Sequence, residues 1–190
     1  MSDLMLDVDQ AGELKAAFRR WNWTNRDVKR FCESSQGPDF LKVLTRQAEV
    51  VLRKHVIDCD ADPFLPKGWK GVEFHRKHGQ LEFASDKVNL YLSKEQVPGK
   101  YIVGTDLRKE LENVPVYNAN VLDYLLAHPE LISESWKGKA VFFWGTIYRD
   151  ADGGLCVRYL YWGGAVWGWF CYWLGCEFDC SGPAASEQVA

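Results

Sequence analysis

The chain has 190 residues, of which 47% are hydrophobic, 14% aromatic and 26% charged, with a formal net charge of −3. That apolar content is ample for a core and excludes global disorder. Without a basic excess, a chain-wide phosphate-tracking surface is excluded, so nucleic acid is not an expected partner. Residues 1–9 carry no basic start and no long apolar run, so no export signal is expected and the reading is a cytoplasmic protein. Six Cys without an export signal do not make a disulfide framework. Cys171, Cys176 and Cys180 form no CxxC pair and no His follows His128, so neither a metal nor any other cofactor is expected.

Residues 10–59 read as helical. Leu14, Ala17, Phe18 and Trp21 give one stripe, and Thr24 is placed as an N-cap before Val28 and Phe31. After Gly37 and Pro38, the apolar positions Phe40, Leu41, Leu44, Ala48, Val51 and Leu52, followed by His55, predict a third helix to about Ile57. Arg19, Arg20, Arg26, Lys29 and Arg30 crowd the first two helices, but the acidic flank from Asp3 to Glu13 offsets them, so they read as a solvated face.

Asp58, Asp60 and Asp62 have the alternate spacing that opens a calcium loop. Pro63 stands where that loop needs Gly and Trp69 where its closing Glu belongs, so Asx-turn chemistry is the expectation. Pro63, Pro66, Gly68 and Gly71 then mark a loop and a domain boundary, giving a helical region 1–62 and a second domain 63–185. His75 and His78 sit beside Arg76, Lys77 and Gly79 in a predicted turn, with no third ligand in view.

Val88, Leu90 and Leu92 alternate as a strand. A helix follows from about Thr105 through Leu107, Leu111 and Glu112. A second starts at an Asn cap (Asn118 or Asn120), carries Val121, Leu122, Leu125 and Leu126, and stops at Pro129. Residues 140–149 carry apolar groups on both faces and predict a central strand. The run 150–154 (Asp-Ala-Asp-Gly-Gly) predicts a hairpin turn, 155–162 the returning strand, Gly163-Gly164 a second turn and 166–174 a third strand. Residues 186–190 are expected to fray. The order is α+β, with a helical segment ahead of a strand, two helices and a run of antiparallel strands.

Residues 159–176 pass without a charge and hold four Trp, three Tyr, four Gly and two Cys. The length suits a membrane span, but Trp is scattered throughout with Gly between, which suits paired strands instead, so no membrane partner is expected.

The middle of the chain, from Asn118 through Trp136 to the run beginning Phe142-Phe-Trp-Gly-Thr, resembles a large group of bacterial proteins found mostly in the small-genome candidate phyla. The block from Val157 through the spaced Trp residues to Pro183-Ala-Ala resembles the variable region of diversity-generating retroelement target proteins. The resemblance implies a C-type-lectin-like fold and a ligand-binding, non-catalytic protein whose gene is rewritten at its 3′ end by adenine mutagenesis. A template AAC or AAT codon reaches Asn, Ser, Thr, Ile, Asp, Gly, Ala, Val, Tyr, Cys, Phe, Leu, His, Arg and Pro, but not Lys, Gln, Glu, Met or Trp. Residues 163–182 contain no Lys, Gln or Met. On this resemblance the variable region spans about 156–182, and the displayed positions are Cys156, Tyr159, Ala165, Val166, Gly168, Phe170, Cys171, Tyr172, Gly175, Cys176, Asp179, Cys180, Ser181 and Gly182. Glu177 lies outside that codon set. The scaffold is Trp144, Trp162, Trp167, Trp169, Trp173 and Leu174. The implied partner is a protein or small-molecule ligand at that surface, and the Cys crowding is a by-product of the codon set.

Two other readings stand beside this one. A small enzyme would use His55 with Asp58 and Asp60, or His75 with Glu73, though neither completes a set of nucleophile, base and orienter. A nucleic-acid-binding regulator would use residues 10–35.

Overall fold

The computed structural model describes residues 7–34, 40, 42–43, 45–48 and 54–188. It divides into two compact units, Met1–Arg53 and Lys54–Ala190.

The first unit holds two capped helices, α1 (Val8–Arg20) and α2 (Asn25–Glu33). Asp7 accepts from the Gln10 amide at 2.7 Å while the Gln10 side chain accepts from the Asp7 amide, closing a capping box. Thr24 caps α2 as expected, paired in the same way with Asp27. Phe18 stacks on Trp23 at 4.7 Å between ring centroids, and Trp23 meets Phe31 edge-on at 5.7 Å. No residue of either helix is fully buried, so the unit is held by this aromatic seam. Much of the third predicted helix lies outside the described residues.

Its expected end is a correction. His55–Asp58 forms a strand, β1, paired antiparallel with β3 (Gln80–Phe83), and so belongs to the second unit. The division therefore falls ahead of the expected 62/63 boundary. The three- and four-residue spacing that runs up to His55 is overridden by pairing with a distant strand, which local periodicity does not encode. The Asx-turn expectation holds: Asp58 Oδ1 accepts from the Asp60 amide at 3.0 Å, and Asp60 Oδ1 accepts from Gly79 N at 2.8 Å.

The second unit is α+β. Its main sheet runs β4 (Val88–Tyr91), β10 (Ala184–Glu187), β6 (Val141–Arg149), β7 (Leu155–Trp162), β8 (Trp167–Trp173), with β2 (Gly71–His75) also pairing to β6. Helix α3 (Gly104–Glu110) precedes a 3-10 turn, and α4 (Ala119–Ala127) is capped by Asn118 through the Asn120 amide. A short pair, β5 (Ile102–Val103) with β9 (Glu177–Phe178), closes one end. Helix α4 lies over one sheet face, with Val121, Leu122 and Leu125 against Val141, Phe143 and Leu160. Leu107 of α3 and Leu111 of the 3-10 turn cover the other face, against Phe142, Trp144, Val157 and Phe178. Covered on both sides, β6 is buried along eight of its nine residues, which explains why apolar side chains fall on both of its faces.

The expected fraying of 186–190 is overturned at Ser186 and Glu187, while residues 189–190 lie outside the described residues. Strand β10 sits inside the sheet, antiparallel to β4 and parallel to β6, and Ser186 is only 1% exposed. Its small side chains carry no strand signal, but they let neighbouring layers approach closely. Gly145 has a parallel role in β6: a Cβ there would stand 2.8 Å from the backbone of Tyr117 and Asn118. Among the described residues, no helix is long and apolar enough to cross a membrane, and the uncharged 159–176 run falls in β7, β8 and their turns.

Candidate ligand-binding face

The β7–β8 hairpin is built by strict cross-strand pairing, from Trp162 opposite Trp167 to Cys156 opposite Trp173. Paired residues share a face, so the hairpin sorts its side chains into two sets. One set is Cys156, Arg158, Leu160 and Trp162 with Trp167, Trp169, Cys171 and Trp173. The other is Val157, Tyr159 and Tyr161 with Gly168, Phe170 and Tyr172.

The first face is closed. Arg158, 1% exposed, makes a two-pronged ion pair with Asp123 of α4 at 2.6 and 3.0 Å. Its guanidinium lies 4.1 Å from the Trp169 ring, with Phe64 and Tyr148 completing an aromatic cage. Cys156 and Cys171 lie beneath, and burial pushes both thiols up, Cys156 to about 12. Trp162 packs edge-on with Trp167 at 5.3 Å and carries Lys137 over its ring. At the far end Trp173 donates from Nε1 to Asp150 Oδ2 at 2.6 Å, and Asp150 Oδ1 accepts from the amides of Asp152, Gly153 and Gly154. The Trp173 hydrogen bond is the foremost cause holding the Asp150 carboxyl below its ordinary 3.8, followed by those amides.

The second face opens toward the hairpin edge. Phe170 is 56% exposed, a Cβ at Gly168 would stand 3.3 Å from the Tyr161 ring, and Tyr159 and Tyr172 are half-buried. The tight turn brings Ala165 and Val166 to the tip, closed by Gly163 N donating to Val166 O at 3.0 Å. Beyond β8 the chain reaches Gly175, Cys176, Asp179, Cys180 and Ser181, all exposed or half-exposed. Asp179 Oδ1 accepts from Ser181 Oγ at 2.6 Å and from Ser181 N at 2.8 Å, which lowers its pKa. Buried Gln96 clamps this loop, donating from Nε2 to the carbonyls of Asp179 and Gly182. Nothing in the local sequence marks Gln96 for that role.

Here the face meets a cleft of about 190 Å³, lined by Ala140, Phe142, Tyr159, Tyr172, Glu177, Phe178, Asp179, Ser181 and Gly182. Five of these nine belong to the expected display set. Phe142 lies 4.9 Å from Tyr159 and 5.0 Å from Phe178 between ring centroids, and Tyr172 lies 5.1 Å from Phe178.

Three expected display positions are corrected. Cys156 and Cys171 face the closed side, and Gly182 is buried against the Phe142 ring. The resemblance implies these positions without regard to strand phase, which decides the side that Cys156 and Cys171 meet. Among the expected scaffold residues, Trp144 and Leu174 are buried, while Trp162, Trp167 and Trp169 are half-buried. Trp173 is 43% exposed and held by its hydrogen bond to Asp150. Arg158 was missed. Its signal was a lone charge in phase with Cys156 and Leu160 inside an aromatic strand.

The acid–base candidates are not brought together. His55 Nδ1 bonds the Tyr124 hydroxyl at 3.0 Å rather than Asp58 or Asp60, and Glu73 pairs with Arg149 at 2.8 Å. His75 bonds the Cys59 carbonyl through Nε2 at 3.1 Å and Thr146 Oγ1 through Nδ1 at 2.8 Å. A carbonyl only accepts, so Nε2 carries the proton and Thr146 donates to Nδ1. Burial lowers the His75 pKa, consistent with a neutral ring that braces β2 against β6. No protein-family model matches this chain, and no curated protein and no solved structure matches it either.

Proposed function

We propose that this is a non-catalytic ligand-binding protein whose C-terminal surface is diversified by retroelement-driven adenine mutagenesis on a C-type-lectin-like scaffold. The observation that carries the reading is the placement of replaceable residues. Tyr159, Ala165, Val166, Gly168, Phe170, Tyr172, Gly175, Cys176, Asp179, Cys180 and Ser181 gather on one open hairpin face, its tip and the adjoining loop. The hairpin's other face carries the Trp residues and the Arg158 cage. A surface of rigid aromatic anchors with small, adaptable neighbours suits binding. The sheet order, with a late strand lying between β4 and β6 and two helices between β4 and β6 in the chain, is compatible with the scaffold. Fold alone does not carry the function.

The test is to sequence the gene and the few kilobases beyond it. A near-duplicate of the 3′ end beside a reverse-transcriptase gene, differing only at template adenines, is the expected result. Substitutions between copies should cluster at the open positions and spare the Trp codons. If no repeat is found, the diversification reading falls.

A further inference from the structure

The cleft at the foot of the open face has a chemistry of its own. Phe142 and Phe178 form its floor, both nearly fully buried, and Tyr159 and Tyr172 form its walls. These rings enclose a space of about 190 Å³, large enough for a compact head group rather than an extended chain. Its polar lining residues are the acids Glu177 and Asp179, Ser181 and the two phenols of Tyr159 and Tyr172, and no Lys, Arg or His lines it. Asp179 is already committed on Oδ1 to two donors from Ser181, which keeps it ionised at neutral pH and leaves Oδ2 without a hydrogen bond among the described residues. Four aromatic residues line the cleft and two acidic residues add negative charge to its lining. An anion would be repelled there, and a neutral apolar group would gain nothing from the acids. A methylated ammonium satisfies both features, because its charge is attracted by ring quadrupoles and carboxylates while its methyl groups fill apolar space.

We propose that this cleft binds a methylated ammonium head group. The assignment rests on reading the surface as a ligand-binding one, and it names the ligand class for this copy of the chain. Phe142 and Phe178 fall outside the expected display set, whereas Tyr159, Tyr172, Asp179 and Ser181 fall within it. Phe142, outside the variable region, therefore stays in every copy, while the walls and the acid change with the copy.

The test titrates the full chain by calorimetry with choline and with its uncharged carbon isostere, 3,3-dimethylbutanol. Choline should bind at least about tenfold more tightly, the scale of a desolvated cation–π contact. Asp179→Asn, which keeps the acceptor for Ser181, and Tyr159→Leu, which keeps apolar volume, should each weaken choline by several-fold with the near-ultraviolet dichroism unchanged. A parallel titration with N-acetyl-trimethyllysine amide separates a free small molecule from a modified side chain as the source, the tighter of the two naming it. Equal binding of choline and its isostere, or no binding of either cation, overturns the assignment. The two readings fail separately. Absence of choline binding beside a genuine template repeat removes only the ammonium assignment, whereas choline binding without a repeat removes only the diversification.

Discussion

The two faces of the β7–β8 hairpin come from the same stretch of aromatic, glycine-rich sequence, residues 155–173, yet they do opposite things. The closed face buries Arg158 in its ion pair and two thiols, and packs Trp169 against Phe64 and Trp69 of the preceding loop. The open face leaves Phe170 more than half exposed and Tyr161 partly exposed beside a cleft. Composition is therefore no guide to which residues a fold can afford to lose; phase along the strand decides it.

Several changes would break or sharpen that contrast. The largest effect should come from Arg158→Ala, which empties the aromatic cage and leaves Asp123 without its partner. Breaking a buried pair and opening a cavity costs about 3–5 kcal/mol. Urea denaturation should show it as a lower midpoint at unchanged slope. Replacing both partners with apolar groups (Arg158→Met with Asp123→Leu) should recover most of that loss. A double variant as unstable as the single would mean that the cage needs its charge.

Gly145→Ala comes next. A methyl group in contact with the backbone of Tyr117 and Asn118 forces β6 away from the α4 cap, an overpacking cost of about 1–3 kcal/mol. A stability near that of the parent would show the cap to be compliant.

A smaller effect is expected from acid. The Asp150 carboxyl titrates below its ordinary 3.8 in the fold, so its contribution is complete above that value and is lost as the pH falls through the lowered one. The thermal midpoint followed by Trp fluorescence should fall below about pH 4, and Asp150→Asn should flatten that part of the profile. If the Asp150→Asn profile matches the parent, the hold on Trp173 is not electrostatic.

The smallest effect belongs to the open face. Phe170→Ser and Tyr161→Ser should each change stability by no more than about 0.5 kcal/mol. If either approaches the Arg158→Ala loss, the two faces are not different in kind.

Much of this fold can be read from the chain. Alternation with the Asp-Gly and Gly-Gly turns marked β6, β7 and β8 almost to the residue, and the Asn118 cap with Pro129 bounded α4. What escaped was short or non-local. β5 and β9 are two-residue strands, β10 is built from small residues, and β1 continues a helical spacing until its partner overrides it. The candidate cleft was half legible. Tyr159, Tyr172, Asp179, Ser181 and Gly182 lie in one stretch that local reasoning reached. Phe142, Phe178 and the Gln96 clamp arrive from other elements, and their convergence is a property of topology rather than of any window of sequence.

Strand β10 follows the hairpin and the cleft loop in the chain but lies between β4 and β6 in the sheet. During synthesis the ribosome therefore delivers the whole open face before the strand that ties it to the rest. A message carrying a stop codon or frameshift anywhere from Cys156 to Gly182 yields a chain without that keystone, whose exposed β4 and β6 edges invite degradation. Full-length translation and folding are thereby linked: under the proposed function, an error in the diversified part of the gene would erase itself as protein.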